Sequence, residues 1–476
     1  MGIRYVCLSD MHLGAKTSVL TNLKTASPET DPLKASPVMA QLVECLKDLL
    51  GPGKKVTLIL NGDILELALA TDNEAYMAFE RFVELVLKPG KEVFDRIIYL
   101  PGNHDHHLWE LARETQYMNY VVDGLQLSDP LPVPWHTTNM FVEDDLHPVV
   151  PYTLNRLVSK LSKDFRMATA YPNFALLHKN REKCVIFHHG HYVESLYHFM
   201  TTLKNLIFSR GKDSRPLQIW ELEAENFAWI DFFWSTMGRS GEAGKDVGIF
   251  YEKMQDPQAL KQLLYNLADN LVAQANPPWW AAGTEKEALK WLIGIVIDRI
   301  GKAENLQTEE PLSDDAEKGL WSYVDGPLRE QLVSECNRRQ IKVPEDVTFV
   351  FGHTHKAFED KMNFKEYPQW VKVYNSGGWV VESVDPKPLH GGAVILIDDD
   401  LDVVSLRMYN EDPSSENYRV RVEEAAHPGD PLGPFCTAVK GRITSSADLW
   451  KAFSDAVARA VHVREENLRA EINERV

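Results

Sequence analysis

The chain has 476 residues, 44% hydrophobic and 25% charged, which are proportions of a globular protein and not of a disordered or collagen-like chain. Its 51 Lys and Arg against 69 Asp and Glu leave a net charge of −18, which disfavours general attraction to nucleic acid or anionic lipid. No run of about 18 apolar residues offers a transmembrane helix, and five scattered cysteines without a CxxC pair offer neither a disulfide framework nor a cysteine zinc site.

The chain opens on a strand, Ile3–Leu8, with no basic and apolar leader pattern ahead of it, so a cytoplasmic protein is expected. Further β-type runs are Val56–Leu60, Arg96–Leu100, Lys183–Phe187, Val347–Phe351, Val371–Tyr374 and Ala393–Ile397. Most are continuous in Val, Ile, Leu and Phe, as expected of strands buried on both faces. Cys7 and Cys184 lie inside such runs and read as small core residues. A helix over Pro37–Leu50 takes Ser36 as N-cap and stops at Gly51-Pro52-Gly53. Another, over Glu74–Leu87, stops before Pro89-Gly90. Strands alternating with helices predict a layered α/β core.

From residue 190 to 345 strands almost vanish, and this stretch carries seven of the twelve tryptophans. Leu196, Phe199, Met200, Leu203 and Ile207 share one predicted helical face, and Trp220, Phe227, Ile230, Trp234 and Met237 another. The expected organisation is a discontinuous core of residues 1–189 and 346–410, a mainly α-helical insertion or cap over 190–345, and a C-terminal extension over 411–476. The extension is a polar tail with one helix near Ala447–Ala460.

Five strands lead directly into polar residues able to bind metal. These are Asp10 and His12; Asn61-Gly62-Asp63; Gly102-Asn103-His104-Asp105; His188-His189-Gly190-His191; and Gly352-His353-Thr354-His355. Loops at the carboxyl ends of parallel strands share one edge of a sheet, so the five together predict one site. Each motif alone carries little weight, because Asp-x-His and His-x-His both recur elsewhere. A carboxylate can bridge two cations, and imidazole with carboxylate suits Mn, Fe, Zn or Co. Two such ions can hold a nucleophile and phosphoryl oxygens for in-line attack.

The ordered set SDMH (9–12), NGD (61–63), GNHD (102–105), HHGH (188–191) and GHTH (352–355) resembles the calcineurin-like metallophosphoesterase superfamily. The resemblance spans roughly residues 1–190 and 346–400. It implies a β-sandwich core flanked by helices and two divalent ions, Mn first, with Fe, Zn, Co or Mg open. It implies hydrolysis of a phosphoester or phosphoanhydride by a metal-bound hydroxide. By position, one ion takes Asp10, His12 and His355, the other takes Asn103, His189 and His353, and Asp63 bridges them. His188 and His189 point opposite ways, and the residue directly before Gly-His is the family ligand, which selects His189. His104 is the catalytic imidazole of the family, with Asp105 able to orient it. His191 is open between a contact to the substrate phosphate and an ordinary loop histidine. His106 and His107 read as solvent-facing.

The chain departs from the protein Ser/Thr phosphatases, which carry GDxxDRG and GNHE. Here Asp63 is followed by Ile64-Leu65-Glu66-Leu67. SDMHLG and GDILE are similar to UDP-diacylglucosamine pyrophosphatases, but those are about half as long and have Arg where this chain has His104. The expected substrate is a phosphorylated small molecule, or a nucleotide or lipid phosphate, with nucleic acid disfavoured by charge. A metal-binding scaffold without turnover is the alternative of another class. Lys204, Arg210, Lys212 and Arg215 could hold a second phosphate or make a peripheral membrane contact. The oligomeric state is open.

Overall fold

Apolar strands need cover on both faces, and the chain supplies it by stacking two sheets and flanking them with helices. The computed structural model describes residues 2–122, 135–142, 148–163, 165, 167–207, 217–236, 265 and 310–475. The strands in chain order are β1 (Ile3–Leu8), β2 (Val56–Asn61), β3 (Phe94–Leu100), β4 (Met167–Thr169), β5 (Asn173–Leu177) and β6 (Lys183–His188). They continue as β7 (Asp346–Phe351), β8 (Phe358–Met362), β9 (Val371–Asn375), β10 (Ala393–Asp398), β11 (Val403–Arg407) and β12 (Arg421–Glu423). The described helices are α1 (Pro37–Leu50), α2 (Asp72–Val86), α3 (His107–Val122), α4 (Tyr152–Ser159) and α5 (Phe199–Ile207). After them come α6 (Ile219–Ile230), α7 (Asp314–Tyr323), α8 (Arg329–Arg338), α9 (Pro434–Ser445) and α10 (Ala447–Arg475). All seven strands expected from the sequence are present, as is α1 with Ser36 accepting from the Met39 amide. The second helix starts two residues earlier than expected, because Thr71 and Glu74 form a capping box.

The first sheet runs in the order β12-β11-β10-β1-β2-β3-β4 and the second in the order β5-β6-β7-β9-β8. Neighbours are parallel from β1 to β4, and again among β6, β7 and β9. The facing sides of the two sheets share a core of Cys7, Ile59, Ile98 and Ile395 against Phe174, Val185, Phe187 and Val350. Helices α1, α2 and α10 cover the outer side of the first sheet through residues such as Leu42, Phe79 and Phe453. Leu222 and Trp229 of α6, Leu320 of α7 and Leu332 of α8 cover the outer side of the second through Ile186, Phe349 and Val373. The result is the expected mixed α/β fold, a sandwich of two sheets between helical layers. All five cysteines are buried and free, as their apolar settings imply. Among the described residues no helix is long and apolar enough to cross a membrane.

Three expectations change. The polar tail is not peripheral, because β12 joins the first sheet and Phe435, Val439, Trp450 and Val457 enter the main core. Its expected helix runs on to Arg475, and α9 precedes it. Arg464 of α10 is buried and donates to the carbonyls of Ser18 and Thr21, at 2.5 and 2.6 Å, on the loop that follows His12.

The third change is the buried face of α6, which is Ile219, Leu222, Glu223, Asn226, Trp229 and Ile230, while Trp220 is exposed. Met237 lies outside the described residues. Two polar residues on that face hid it from a hydrophobic reading. Asn226 is satisfied by the Thr201 hydroxyl and the Met200 amide. Glu223 is fully buried near the Tyr171 and Tyr192 hydroxyls, and burial pushes its carboxyl up to about 8.

Burial raises Glu411 to about 8 as well. Both groups bind protons in the folded state that the unfolded chain has released, so their contribution is full below about pH 4.5 and is lost as pH rises through about 8. The share of the melting temperature due to these two groups is therefore expected to fall across that window. Glu223→Gln together with Glu411→Gln should flatten the fall, and an equal slope in the double variant counts against the assignment.

Candidate metal centre

Parallel strands deliver their carboxyl ends to one edge, and five of them end here in polar loops. β1 and β2 zip together beyond their last residues, with the Asp10 and His12 amides bonded to the Gly62 and Asp63 carbonyls, both at 2.9 Å. Across the sandwich, the Gly352 amide bonds the His189 carbonyl at 2.7 Å and the His353 amide bonds Asp10 Oδ1 at 2.9 Å. The first sheet thus brings Asp10, His12, Asp63 and Asn103, and the second brings His189, His353 and His355.

Turning these side chains inward takes unusual backbone. Nine described residues other than glycine have positive φ, and five of them are Asp10, His12, Asp63, His353 and His355, at 43° to 69°. Such conformations are uncommon for these residue types and cluster at functional sites. Gly62 has φ of 86°, and a Cβ there would collide with the His189 ring.

Two groups of donors result. Asp10, His12 and His355 form one and Asp63, His189 and His353 the other, with the donor atoms of each group within 4.8 Å of one another. His12 Nε2 lies 3.2 Å from His355 Nε2, and His355 Nε2 lies 3.4 Å from Asp10 Oδ1. Asp63 Oδ2 stands between the groups, 3.1 Å from His189 Nε2 and 3.7 Å from His12 Nε2. Asn103 Oδ1 is 2.9 Å from His189 Nε2. An ion ~2.0–2.2 Å from each donor spaces neighbouring donors by roughly 3 Å, close to what is seen.

The tautomers sharpen the fit. His12 Nδ1 meets Glu66 Oε2 and His355 Nδ1 meets Glu382 Oε1, both at 2.9 Å. A carboxylate accepts, so each Nδ1 carries a proton, and in the neutral imidazole each Nε2 keeps the lone pair that a metal takes. Two lone pairs facing at 3.2 Å beside Asp10 and Asp63 are an arrangement that a cation relieves. The donor set therefore fits divalent metal.

Burial opposes charge on Asp63, yet His189, His104 and His12 hold its carboxyl well below the usual range. Its Oδ1 also accepts the His104 amide at 2.8 Å. The His104 ring lies beside His12, with centroids 4.8 Å apart. His104 Nδ1 meets Glu66 Oε1 at 2.9 Å. Burial works against the His104 imidazolium, but Glu66 and Asp63 outweigh it and raise it to about 9.

Asp105 corrects an expectation. Its carboxylate accepts the backbone amides of Gly102, Ile64 and Leu65, at 2.7, 2.9 and 3.3 Å, and so fixes the β2 and β3 loops together. Glu66 carries the His104 ring in its place, and the same carboxylate also holds His12. The sequence signal for Glu66 was its place three residues after Asp63, within one turn of the loop.

His189, and not His188, belongs to the donor group. His188 packs on Tyr323 with ring centroids 4.6 Å apart, and burial keeps it neutral. His191 is fully buried, its ring 5.7 Å from that of His189, and neither nitrogen finds a hydrogen-bond partner among the described residues. His106 is fully buried rather than solvent-facing. Glu194 Oε2 is 3.3 Å from His353 Nε2, and Tyr197 sets its ring 5.0 Å from both His353 and Trp234. Of the expected basic cluster, Lys204 is paired with Glu225 at 2.5 Å, and Arg210, Lys212 and Arg215 lie outside the described residues.

A family model described as calcineurin-like phosphoesterase matches residues 3–230. No curated protein matches the chain. The match ends before the loop of His353 and His355, which complete both donor groups from the far side of the helical segment. With strand order, motif order and donor geometry in agreement, residues 3–230 carry a calcineurin-like phosphoesterase domain, which marks a metal-dependent hydrolase of phosphoester bonds.

Proposed function

We propose that the chain is a dinuclear phosphohydrolase acting on a phosphorylated small molecule. The observation that carries this reading is the pair of donor groups with the Asp63 carboxylate between them. Asp10, His12 and His355 would hold one divalent ion, Asn103, His189 and His353 the other, and Asp63 both. Imidazole and carboxylate donors without thiolate suit Mn, with Fe, Zn, Co or Mg as alternatives. When bound, the ions supply Lewis acidity toward phosphoryl oxygens and a water of low pKa.

The chain's own groups do the rest. Glu66 orients His12 and His104 at once, so ligand geometry and acid–base geometry are set by one carboxylate. The Glu66 carboxylate, 2.9 Å from His104 Nδ1, supports an imidazolium able to stabilise phosphoryl charge or protonate a leaving oxygen. Asp105 holds the loop that presents it. His191 backs His189 from within. Tyr197 and Trp234 pack behind His353 and steady its ring. We take residues 1–189 and 346–410 as the core, and the 190–345 segment as the part that shapes substrate choice.

Mn-dependent hydrolysis of a chromogenic aryl phosphate by the pure protein tests the reading against a scaffold without turnover. Asp63→Ala should remove about two metal equivalents per chain, because both ions share that ligand. Elemental analysis that finds the wild-type content in the variant sinks the bridge. His104→Asn should keep the metals and lower kcat ~10²–10⁴-fold. If metal content falls with activity, His104 has been given the wrong role. Glu66→Gln should cost ~10–100-fold in metal affinity or activity, as lost support behind a metal ligand does. Unchanged metal affinity and unchanged turnover would dismiss Glu66.

A further inference from the structure

One place outside these donor groups also gathers imidazole and carboxylate from separate elements. His107 and Glu110 lie in the first turn of α3, just beyond the His104 loop. Asp231 opens a π-helical turn, Asp231–Thr236, that continues α6. One donor atom from each of the three lies within 4.8 Å of the other two. His107 Nδ1 is 3.4 Å from Glu110 Oε2 and 3.6 Å from Asp231 Oδ1. These gaps are long for hydrogen bonds, which cluster near ~2.9 Å. They match the ~3.3 Å edge of a polyhedron whose centre is ~2.0–2.2 Å from each donor.

Two further observations point the same way. His106 is fully buried, and its polar contact is Nδ1 to the same Asp231 oxygen at 3.3 Å, while its Nε2 has no partner among the described residues. Phe227 and Tyr171 hold that ring by its edges, at centroid distances of 4.9 and 5.4 Å. A carboxylate ligand fixed by a second imidazole is how metal sites are commonly supported. The backbone is fixed too, with the His107 amide donating to Ser235 Oγ at 2.9 Å. Charge balance adds to this, since among the described residues two carboxylates converge on His107, with His106 behind one of them. π-Helical turns recur at functional sites, where they redirect a side chain.

We infer that His107, Glu110 and Asp231 form a further divalent-cation site, of Zn or Mn character, that staples α6 to the start of α3. It is separate from the two donor groups at the strand ends and does not depend on their assignment. A cation there would tie the helical layer of the second sheet to the loop carrying His104.

The test counts metal by equilibrium dialysis of the full chain against micromolar Zn2+, followed by elemental analysis. Glu110→Ala and Asp231→Asn should each lose about one equivalent relative to wild type, at unchanged far-UV circular dichroism. Asp63→Ala should retain about one equivalent, and adding Glu110→Ala to it should remove that one. Glu110 is 32% exposed, so its variant keeps the test valid even if Asp231→Asn fails to fold. A folded Glu110→Ala protein with the wild-type metal count overturns the site. So does an Asp63→Ala protein that binds no metal.

Discussion

A carboxylate with 1% of its surface exposed, set among three imidazoles, is the constraint around which the chain is arranged. Asp63 cannot stay charged in that position without positive partners on several sides, because burial of an unpaired carboxylate is too unfavourable. Two strand ends of the first sheet and one of the second must therefore arrive together. The left-handed backbone of Asp10, His12, Asp63, His353 and His355 follows from that demand. The glycines beside them let the loops close to contact distance.

The donor groups straddle the seam between the sheets, so their geometry is inherited from apolar packing. Cys7, Ile59 and Ile98 on one side and Phe187 and Val350 on the other lie a few residues below the ligand loops. A cavity made there shifts one donor group against the other, because such interiors relax only in part. Damage to the seam should then reach metal affinity before it reaches global unfolding. The helices between β6 and β7 belong to the same logic. They cover the second sheet, with Tyr323 bonded to Asn173 and Glu335 to the Met140 amide. They are structural walls as well as neighbours of the site.

Much of this was legible because the chemistry is written in order along the chain. Apolar runs that end in Asp, Asn or His announce both a buried strand and its functional end, and the structure brings all seven proposed ligands together. What escaped was whatever lacks a period. Glu66, Glu194 and Glu382 are single carboxylates in irregular loops, and only the fold reveals that each faces a particular histidine. The α6 face was misread because Glu223 and Asn226 occupy buried positions, and polar residues there erase the apolar stripe. His106 reads as a surface residue by its neighbours, yet aromatic rings enclose it.

Arg464 gives the architecture a direction in time. Ser18, whose carbonyl it holds, also donates its hydroxyl to the carbonyl of Met11, between Asp10 and His12. The first ligand loop is thus braced by a helix from the far end of the chain, and β1 that carries it pairs with β10. During synthesis the N-terminal residues emerge first and must wait, since His353, His355, β10 and Arg464 follow hundreds of residues later. A ribosome-bound fragment therefore presents Asp10, His12 and Asp63 as isolated polar groups with no centre to join. Neither donor group can be completed before the loop of His353 and His355 has been made, more than three hundred residues after Asp10.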